Sequence, residues 1–438
     1  MGKNARAAAL EALGKCRRDG AWSGAVIDNV IKSASLDPRE AALASRIILG
    51  VLQNCSLCDF YIDSFSSAKK LEPKLRDILR IGVYQLLFTG KIPPRAAVNE
   101  CVALCKNEGY QRAAGLVNAI LRRVAENKDA LPEIPNAGSA EHLSIKYSHS
   151  LWLVKKLCEE YGYDFTEAFL KSNNTSPGLT LQVNTLRISS SDYTRALDRL
   201  GIAYSASAAL DGCIELAGGN MAALPGFEEG LFYIQDRAAR TAAEISGAKA
   251  GMTVLDACAA PGGKSFAAAI KMRGEGKIIS CDIHEKKLRL IEEGSRRLGL
   301  GIIETCCSDA RRFNEKFKDA FDLVLADVPC SGIGVIRKKP EIRLKSEKEL
   351  SALPQIQFAI LSNLAAYVRR GGGLLYSTCT VLREENEKVV ERFLKENTEY
   401  ELSPFKIGDI EAENGMYTFW PQTDGTDGFF AAKLIRKS

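Results

Sequence analysis

Met252-Thr-Val-Leu-Asp-Ala-Cys-Ala-Ala-Pro-Gly-Gly-Lys-Ser265 reads as a short apolar strand, a tight turn of small residues and the start of a helix. Ala259, Ala260, Gly262 and Gly263 let a ligand approach the backbone, and the helix N-terminus behind them favours negative charge. The next apolar run, Ile278-Ile-Ser-Cys-Asp282, ends in a carboxylate placed to accept hydrogen bonds from both ribose hydroxyls of a nucleoside cofactor. Asp309, after the third strand, is expected to face the adenine end. The turn is not a G-x-G-x-x-G dinucleotide fingerprint. Gly263-Lys264-Ser265 matches the end of a Walker A loop, but Cys258 stands where the first glycine is required. No phosphate cradle is complete. S-adenosylmethionine, with one carboxylate, one adenosine and no phosphate, fits better. Its expected contacts are Cys258, Ala259, Ala260, Pro261, Gly262, Gly263, Lys264, Asp282, Asp309 and Asp327.

From about residue 235 strands alternate with helices: near 252–257, 277–282, 301–306, 321–327 and 373–378. Alternation at this spacing predicts a mostly parallel sheet covered on both faces. Gly428-Phe-Phe-Ala-Ala-Lys-Leu-Ile-Arg436 reads as a last strand, antiparallel at or near an edge. Two of the runs lead into cysteine: Phe321-Asp-Leu-Val-Leu-Ala-Asp-Val-Pro-Cys330 and Gly373-Leu-Leu-Tyr-Ser-Thr-Cys379. Ligands of open α/β sheets collect outside the carboxyl ends of the strands, so these two thiols can meet over one substrate. A thiol that adds covalently to a substrate needs a second group to help remove it, and the pair points to covalent catalysis. Cysteine is more often a buried small hydrophobe. Asp327, Pro329 and the Gly-rich loop beside Cys330 argue for the functional reading. The residues alone do not rank the two thiols.

At 438 residues the chain exceeds one core, and two or three domains are expected. With 46% hydrophobic and 26% charged residues it has an ordinary soluble composition. It has no long uninterrupted apolar run, and Met1-Gly-Lys-Asn-Ala-Arg6 lacks the apolar core of a signal peptide. A cytoplasmic protein with no membrane partner is expected. Its 13 cysteines are odd in number and scattered, which favours reduced thiols over disulfides. Cys55-x-x-Cys58 is half a zinc site without a second pair, and no metal is expected.

Residues 1–130 read as all-helical, with Val26, Ile27, Val30, Ile31 and Ala34 on one face and further runs at 39–54, 72–88, 95–106 and 111–125. Pro93-Pro94 is expected to leave an extended joint. This part carries 20 Lys and Arg against 13 Asp and Glu, although the whole chain has a net charge of only +5. Such asymmetry suggests nucleic-acid contact by the N-terminal part. Residues 131–139, Leu131-Pro-Glu-Ile-Pro-Asn-Ala-Gly-Ser139, have linker chemistry. Residues 140–234 follow as a helical stretch and a small α+β module, with strands at Leu179-Thr-Leu-Gln-Val-Asn-Thr185 and Gly230-Leu-Phe-Tyr-Ile-Gln235 and a helix near 191–200. The α/β domain occupies 235–438.

Asp256-Ala-Cys-Ala-Ala-Pro-Gly-Gly-Lys264, Asp327-Val-Pro-Cys-Ser-Gly-Ile-Gly334 and Tyr376-Ser-Thr-Cys-Thr380 together resemble the RNA (cytosine-C5) methyltransferases of the NOL1/NOP2/Sun family. Pro94-Arg-Ala-Ala-Val-Asn-Glu100 and Leu116-Val-Asn-Ala-Ile-Leu-Arg-Arg123 resemble the helical RNA-binding NusB domain. The resemblance covers nearly the whole chain and departs little, as at Ser265, where threonine is commoner. It implies a Rossmann-like S-adenosylmethionine-dependent methyltransferase domain, preceded by a small α+β module and an all-α NusB-like domain. The implied substrate is a cytosine in small-subunit (16S) ribosomal RNA, acted on by a monomer. Cytosine C5 is a poor nucleophile until a thiolate adds at C6 and pushes electron density onto C5. The resemblance assigns that nucleophile to Cys379 and product release to Cys330. It gives Asp327 the base edge, at N3 and the exocyclic amine. Lys264 is expected to favour a thiolate or contact the base. Asp256 is expected to orient the cofactor or the fold, and Arg337-Lys-Lys-Pro340 to meet RNA phosphate. The target cytosine should be single-stranded or flipped. Two other readings compete. Amino-group methylation of a base generally needs a polar-Pro-Pro-aromatic loop, where this chain has Asp327-Val-Pro-Cys330. An RNA-binding assembly factor with a relic fold would have no use for both cysteines.

Overall fold

The computed structural model describes residues 4–19, 23–68, 70–216 and 224–438, so Met1–Lys3 of the N-terminal stretch lie outside it. Apolar residues at helical spacing build the first part: α1 (Ala5–Asp19), α2 (Ser23–Ala34), α3 (Pro38–Gln53), α4 (Cys55–Phe65), α5 (Pro73–Phe88), α6 (Pro94–Asn107) and α7 (Ala114–Glu126). Ile47, Ile48 and Val51 of α3 meet Ile78 and Ile81 of α5 and Val117, Ile120 and Leu121 of α7 in one buried cluster. Asp37 caps α3 by accepting from the Arg39 and Glu40 N–H groups, with Pro38 at the first helical position. The expected extended joint is shorter than the two prolines: Pro93 is extended, but Pro94 already begins α6. Proline suits that position because its missing N–H would have had no helical partner. No single helix among the described residues is long and apolar enough to cross a membrane.

Three more helices follow the loop at 127–139: α8 (Ala140–Lys146), α9 (Leu151–Tyr161) and α10 (Tyr163–Ser172). Contacts divide the chain into two units, one of residues up to Ser176 plus Ile336–Glu349, the other of Pro177–Val335 plus Leu350–Ser438. The helices of 140–172 therefore pack with the first unit rather than with the small module that follows them. The excursion Ile336–Glu349 also belongs to the first unit, and nothing local in its sequence announces this.

Arg343 anchors that excursion. It is 5% exposed, and its Nη1 donates to the carbonyls of Gln53 (3.1 Å), Tyr147 (2.7 Å) and Ser148 (3.1 Å). Its Nη2 donates to Asn173 O (3.0 Å) and Asn174 Oδ1 (2.6 Å). Gln53, Tyr147 and Asn173 stand at the C-terminal ends of α3, α8 and α10. Helix C-termini carry unpaired carbonyls and partial negative charge, so one guanidinium satisfies three of them at once.

The second unit opens with an antiparallel sheet of β1 (Leu179–Val183), β2 (Tyr204–Ala206), β3 (Cys213–Leu216) and β4 (Phe232–Ile234) in the order β2-β3-β1-β4. Helix α11 (Ser190–Arg199) covers it through Tyr193 and Leu197. After α12 (Arg237–Ile245) comes the large sheet. Its strands are β5 (Thr253–Asp256), β6 (Lys277–Asp282), β7 (Ile303–Cys307), β8 (Phe321–Asp327), β9 (Val368–Thr378) and β10 (Tyr400–Leu402). Past a hairpin of β11 (Phe405–Ile407) and β12 (Ile410–Ala412), β13 (Met416–Phe419) and β14 (Phe429–Arg436) complete it. The order is β10-β14-β9-β8-β5-β6-β7, with β13 also on β14. Strands β5 to β9 run parallel. The last strand, β14, is antiparallel and lies between β9 and β10. Successive residues of β8 face opposite layers. Leu323 and Leu325 join Val254 and the helices α12, α13 (Gly263–Lys271) and α14 (Glu285–Leu298). Val324 and Ala326 join Leu255, Phe358, Leu361 and Val390. Burial on both faces explains why β8 is almost uniformly apolar.

Replacing Arg343 by Met should cost about 3 kcal/mol or more, because the buried carbonyls lose their donor, with Lys intermediate. Urea denaturation of the full chain measures this, and an unchanged transition would show that water replaces the guanidinium.

Candidate active site

The chain runs β5, β6, β7 to one side, then returns to place β8 and β9 on the other side of β5. That reversal is a topological switch point, and a crevice opens there outside the carboxyl ends of β5 and β8. The turn Ala257–Gly263 enters it. Gly262 has φ +112°, and a Cβ there would lie 2.5 Å from Cζ of Phe266, so both backbone and space demand glycine. The Ala260–Pro261 peptide is cis.

Asp256 ends β5 fully buried. Its Oδ2 accepts from Ser265 Oγ at 2.7 Å, Ser265 Oγ lies 2.7 Å from Ser280 Oγ, and Oδ1 is buried without a hydrogen-bond partner. Burial pushes this carboxyl up to about 7, against the hydrogen bond from Ser265. Asp282 ends β6, and its Oδ1 accepts the His284 N–H at 2.8 Å. Cys258 lies in the turn with its thiol pKa raised, first by burial and then by the carboxylates of Asp256, Asp327, Asp282 and Asp309. It is a protonated small residue among acids. An acidic crevice behind a glycine turn suits a cofactor with a sulfonium and an ammonium charge, so the residues fit S-adenosylmethionine. Asp309 is paired with an arginine two residues on. Arg311 takes both its oxygens, at 3.0 and 2.8 Å, and holds the carboxyl down to about 2.

Lys264 is buried, 7% exposed. Its Nζ lies 2.7 Å from Asp327 Oδ2 and 4.9 Å from the centroid of the Phe429 ring. Ser377 Oγ donates to the other oxygen, Asp327 Oδ1, at 2.8 Å. Both carboxylate oxygens of Asp327 are thus fixed, and its plane is set by two strands and a helix.

The two thiols, separated by 49 residues in sequence, have Sγ atoms 3.2 Å apart. Both are half-buried. Cys330 has its pKa raised, first by the hydrogen bond with Cys379, then by burial, then by the negative charge of Cys379, Glu385 and Asp327. Gly334 ties the loops together, since its N–H donates to Cys379 O at 3.0 Å while its carbonyl accepts the Gly428 N–H at 2.9 Å. A Cβ on Gly334 would sit 1.9 Å from Gly428 O. Arg337, Lys338 and Lys339 stand in the excursion grouped with the first unit. Ser377, Gln357, Glu385 and Asn386, which surround the thiol loops, were not evident from sequence. Glu384-Glu385-Asn386-Glu387 looks like the polar first turn of a helix, and only the Asn at a helix start offered a signal. Among the described residues no group of three His, Cys, Asp or Glu side chains could hold a metal ion.

A doubly wound sheet with this acidic glycine turn and two apposed thiols defines a Rossmann-like methyltransferase. Comparison with known proteins narrows the class. Residues 246–435 match the family model described as 16S rRNA methyltransferase RsmB/F, residues 3–126 the NusB family, and residues 149–221 an RsmF/B-like ferredoxin-like domain. "Probable ribosomal RNA small subunit methyltransferase B" of Bacillus subtilis (strain 168) is 35% identical over 98% of each chain. "Ribosomal RNA small subunit methyltransferase B" of Escherichia coli O6:H1 is 30% identical over 99% of each. Among solved structures, PH0851 aligns with a TM-score of 0.82 and 27% identity, covering 99% of this chain and 98% of its own. A methyltransferase homologue from Pyrococcus horikoshii aligns with a TM-score of 0.61 and 26% identity over 69% of this chain and all of its own. The chain belongs to the 16S rRNA methyltransferase RsmB/F family.

Gly334→Ala should lower methyl transfer on the order of tenfold or more while the fold persists, because the thiol loops must part to admit the methyl group. Single-turnover methylation beside a circular-dichroism melt checks this. Asp256 gives a pH signature. Its folded pKa lies above the unfolded value, so the stability it contributes is complete below about pH 4 and is lost as pH rises through about 7. Asp256→Asn should flatten that decline in urea titrations between pH 4 and 8. Parallel profiles would mean the carboxyl is ionised throughout.

Proposed function

We propose that the chain methylates C5 of a cytosine in 16S ribosomal RNA through a covalent bond between Cys379 and C6. The observation that carries this reading is the 3.2 Å approach of Cys379 to Cys330 above a crevice suited to S-adenosylmethionine. Asp327 holds the cytosine edge at N3 and the exocyclic amine, its carboxylate already aimed by Lys264 and Ser377. The Cys379 thiolate adds to C6, opens the C5–C6 double bond and leaves the electron pair on C5. S-adenosylmethionine, when bound, supplies the methyl group as an electrophile on a positively charged sulfur. The turn Cys258–Lys264 would hold it with Asp282, Asp309 and Asp327, and Asp256 would brace the turn from below. Cys330 then assists release: as a thiolate it takes the C5 proton, the double bond returns and Cys379 leaves as thiolate. The assignment of addition to Cys379 and release to Cys330 rests on the resemblance of the Thr-Cys and Pro-Cys runs.

Residues 1–130, with their excess of basic side chains, would dock RNA mainly through its backbone and shape. The small antiparallel module at 177–234 would help place RNA for the catalytic domain at 235–438. The protein would act as a cytoplasmic monomer on a cytosine that is unpaired or flipped out.

Cys330→Ala and Cys379→Ala, each incubated with small-subunit ribosomal RNA and S-adenosylmethionine, separate the roles on a denaturing gel. Cys330→Ala should accumulate a covalent protein–RNA band, and Cys379→Ala should neither crosslink nor methylate. The reverse pattern exchanges the thiols. No band from either, with wild-type methylation intact, removes the covalent route. RNA affinity should fall steeply between low and moderate salt, and a flat dependence would rule out backbone docking.

A further inference from the structure

Glu385 and Asn386 immediately precede the helix Glu387–Glu396. Asn386 occupies the N-cap, where asparagine normally offers its oxygen to the first N–H groups of the helix. It makes no such bond. Its Oδ1 accepts instead from Thr378 Oγ1 at 2.6 Å, and its Nδ2 donates to Thr380 O at 3.0 Å. The residues on either side of Cys379 are therefore both held by one amide.

Cys330 is held in the same manner. Glu385 is 2% exposed, and its Oε2 accepts the Ser331 N–H at 2.9 Å and Gln357 Nε2 at 2.8 Å. Gln357 Nε2 also donates to Pro329 O at 3.0 Å. Pro329 and Ser331, on either side of Cys330, thus hang on one carboxylate–amide pair. Between the two loops, Ser331 Oγ also donates to Thr380 Oγ1 at 2.8 Å. Burying a carboxylate with its Oε1 unpartnered is costly for stability alone. That cost is incurred beside the two reacting sulfurs.

We propose that Glu385, through Gln357, is the positioning residue for Cys330, that Asn386 is the positioning residue for Cys379, and that these adjacent residues separately govern release and addition. This rests on the thiol roles proposed above.

The test compares full-length Glu385→Ala, Glu385→Gln and Asn386→Ala with Cys330→Ala, using small-subunit ribosomal RNA and S-adenosylmethionine. The covalent band, the first methyl transfer and the steady-state rate are measured, with a thermal melt for each variant. Glu385→Ala should accumulate the band and turn over on the order of tenfold to a hundredfold more slowly, yet keep its first transfer within about threefold of wild type. Asn386→Ala should lose both band and first transfer. Glu385→Gln keeps an acceptor for the Ser331 N–H, so its turnover should return to within about threefold of wild type. If Glu385→Ala does not fold, Gln357→Leu takes its place with the same expected band. A band from Cys330→Ala but not from the Glu385 or Gln357 variants sinks this inference and leaves the thiol roles intact. One shared phenotype for Glu385→Ala and Asn386→Ala, or no rescue by Glu385→Gln, overturns the division of labour. No band from Cys330→Ala removes the thiol roles and this inference with them.

Discussion

Parallel pairing of β8 with β9, with Asp327 opposite Ser377, is the constraint on which the site depends. Neighbouring strands lie less than about 5 Å apart, so two strands that end level deliver their next residues to the same place. The ladder continues past the strand ends, with Val328 N–H donating to Ser377 O at 3.1 Å, and the loops then bring Cys330 and Cys379 together. A slip of one residue would turn Leu323 and Leu325 from one core to the other and carry Asp327 away from Ser377. Register is therefore enforced by burial on both faces of β8, far from the chemistry it serves.

Electrostatics follows from the same arrangement. Several parallel strands end in aspartate at one edge of the sheet, and the crevice between them is acidic. Buried Lys264 is spent on Asp327, the carboxylate proposed to face the base. With Asp327 32% exposed, that ion pair contributes little to stability, and its value lies in orientation. Asp256 is fully buried with one oxygen unpartnered, and burial pushes its carboxyl up to about 7.

Much of the catalytic fold was legible because its signals are local. The strands at 277–282 and 321–327 begin and end where their apolar runs do. Strand β9 starts earlier than the pattern implied, at Val368, because buried Val368 pairs with Phe321 of β8 ahead of an irregular Arg and Gly stretch at 369–372. The short strands β10 to β13 gave no periodic signal over so few residues. The helices of 140–172 read correctly as helices, yet their grouping with the first unit rests on contacts remote in sequence, such as the Leu57 N–H to Ser148 Oγ and those of Arg343. Glu385 and Asn386 carried the signature of a helix start, and that signature hid their bonds to the thiol loops.

By itself the sequence determined the alternation of strands and helices, the glycine turn at 257–263 and the order of the two Pro-Cys and Thr-Cys runs, because hydrophobic period and backbone freedom act over a few neighbouring residues. It also placed both cysteines and Asp327 at strand ends. Tertiary structure decided which acids remain free and which are taken, as Arg311 takes Asp309 and Lys264 takes Asp327. It alone fixed the sulfur separation, the closure of Gly334 on Gly428 and the role of Arg343 at three helix ends. These are hydrogen bonds and contacts between residues remote in sequence. Sheet order and register set them, and no local propensity encodes either.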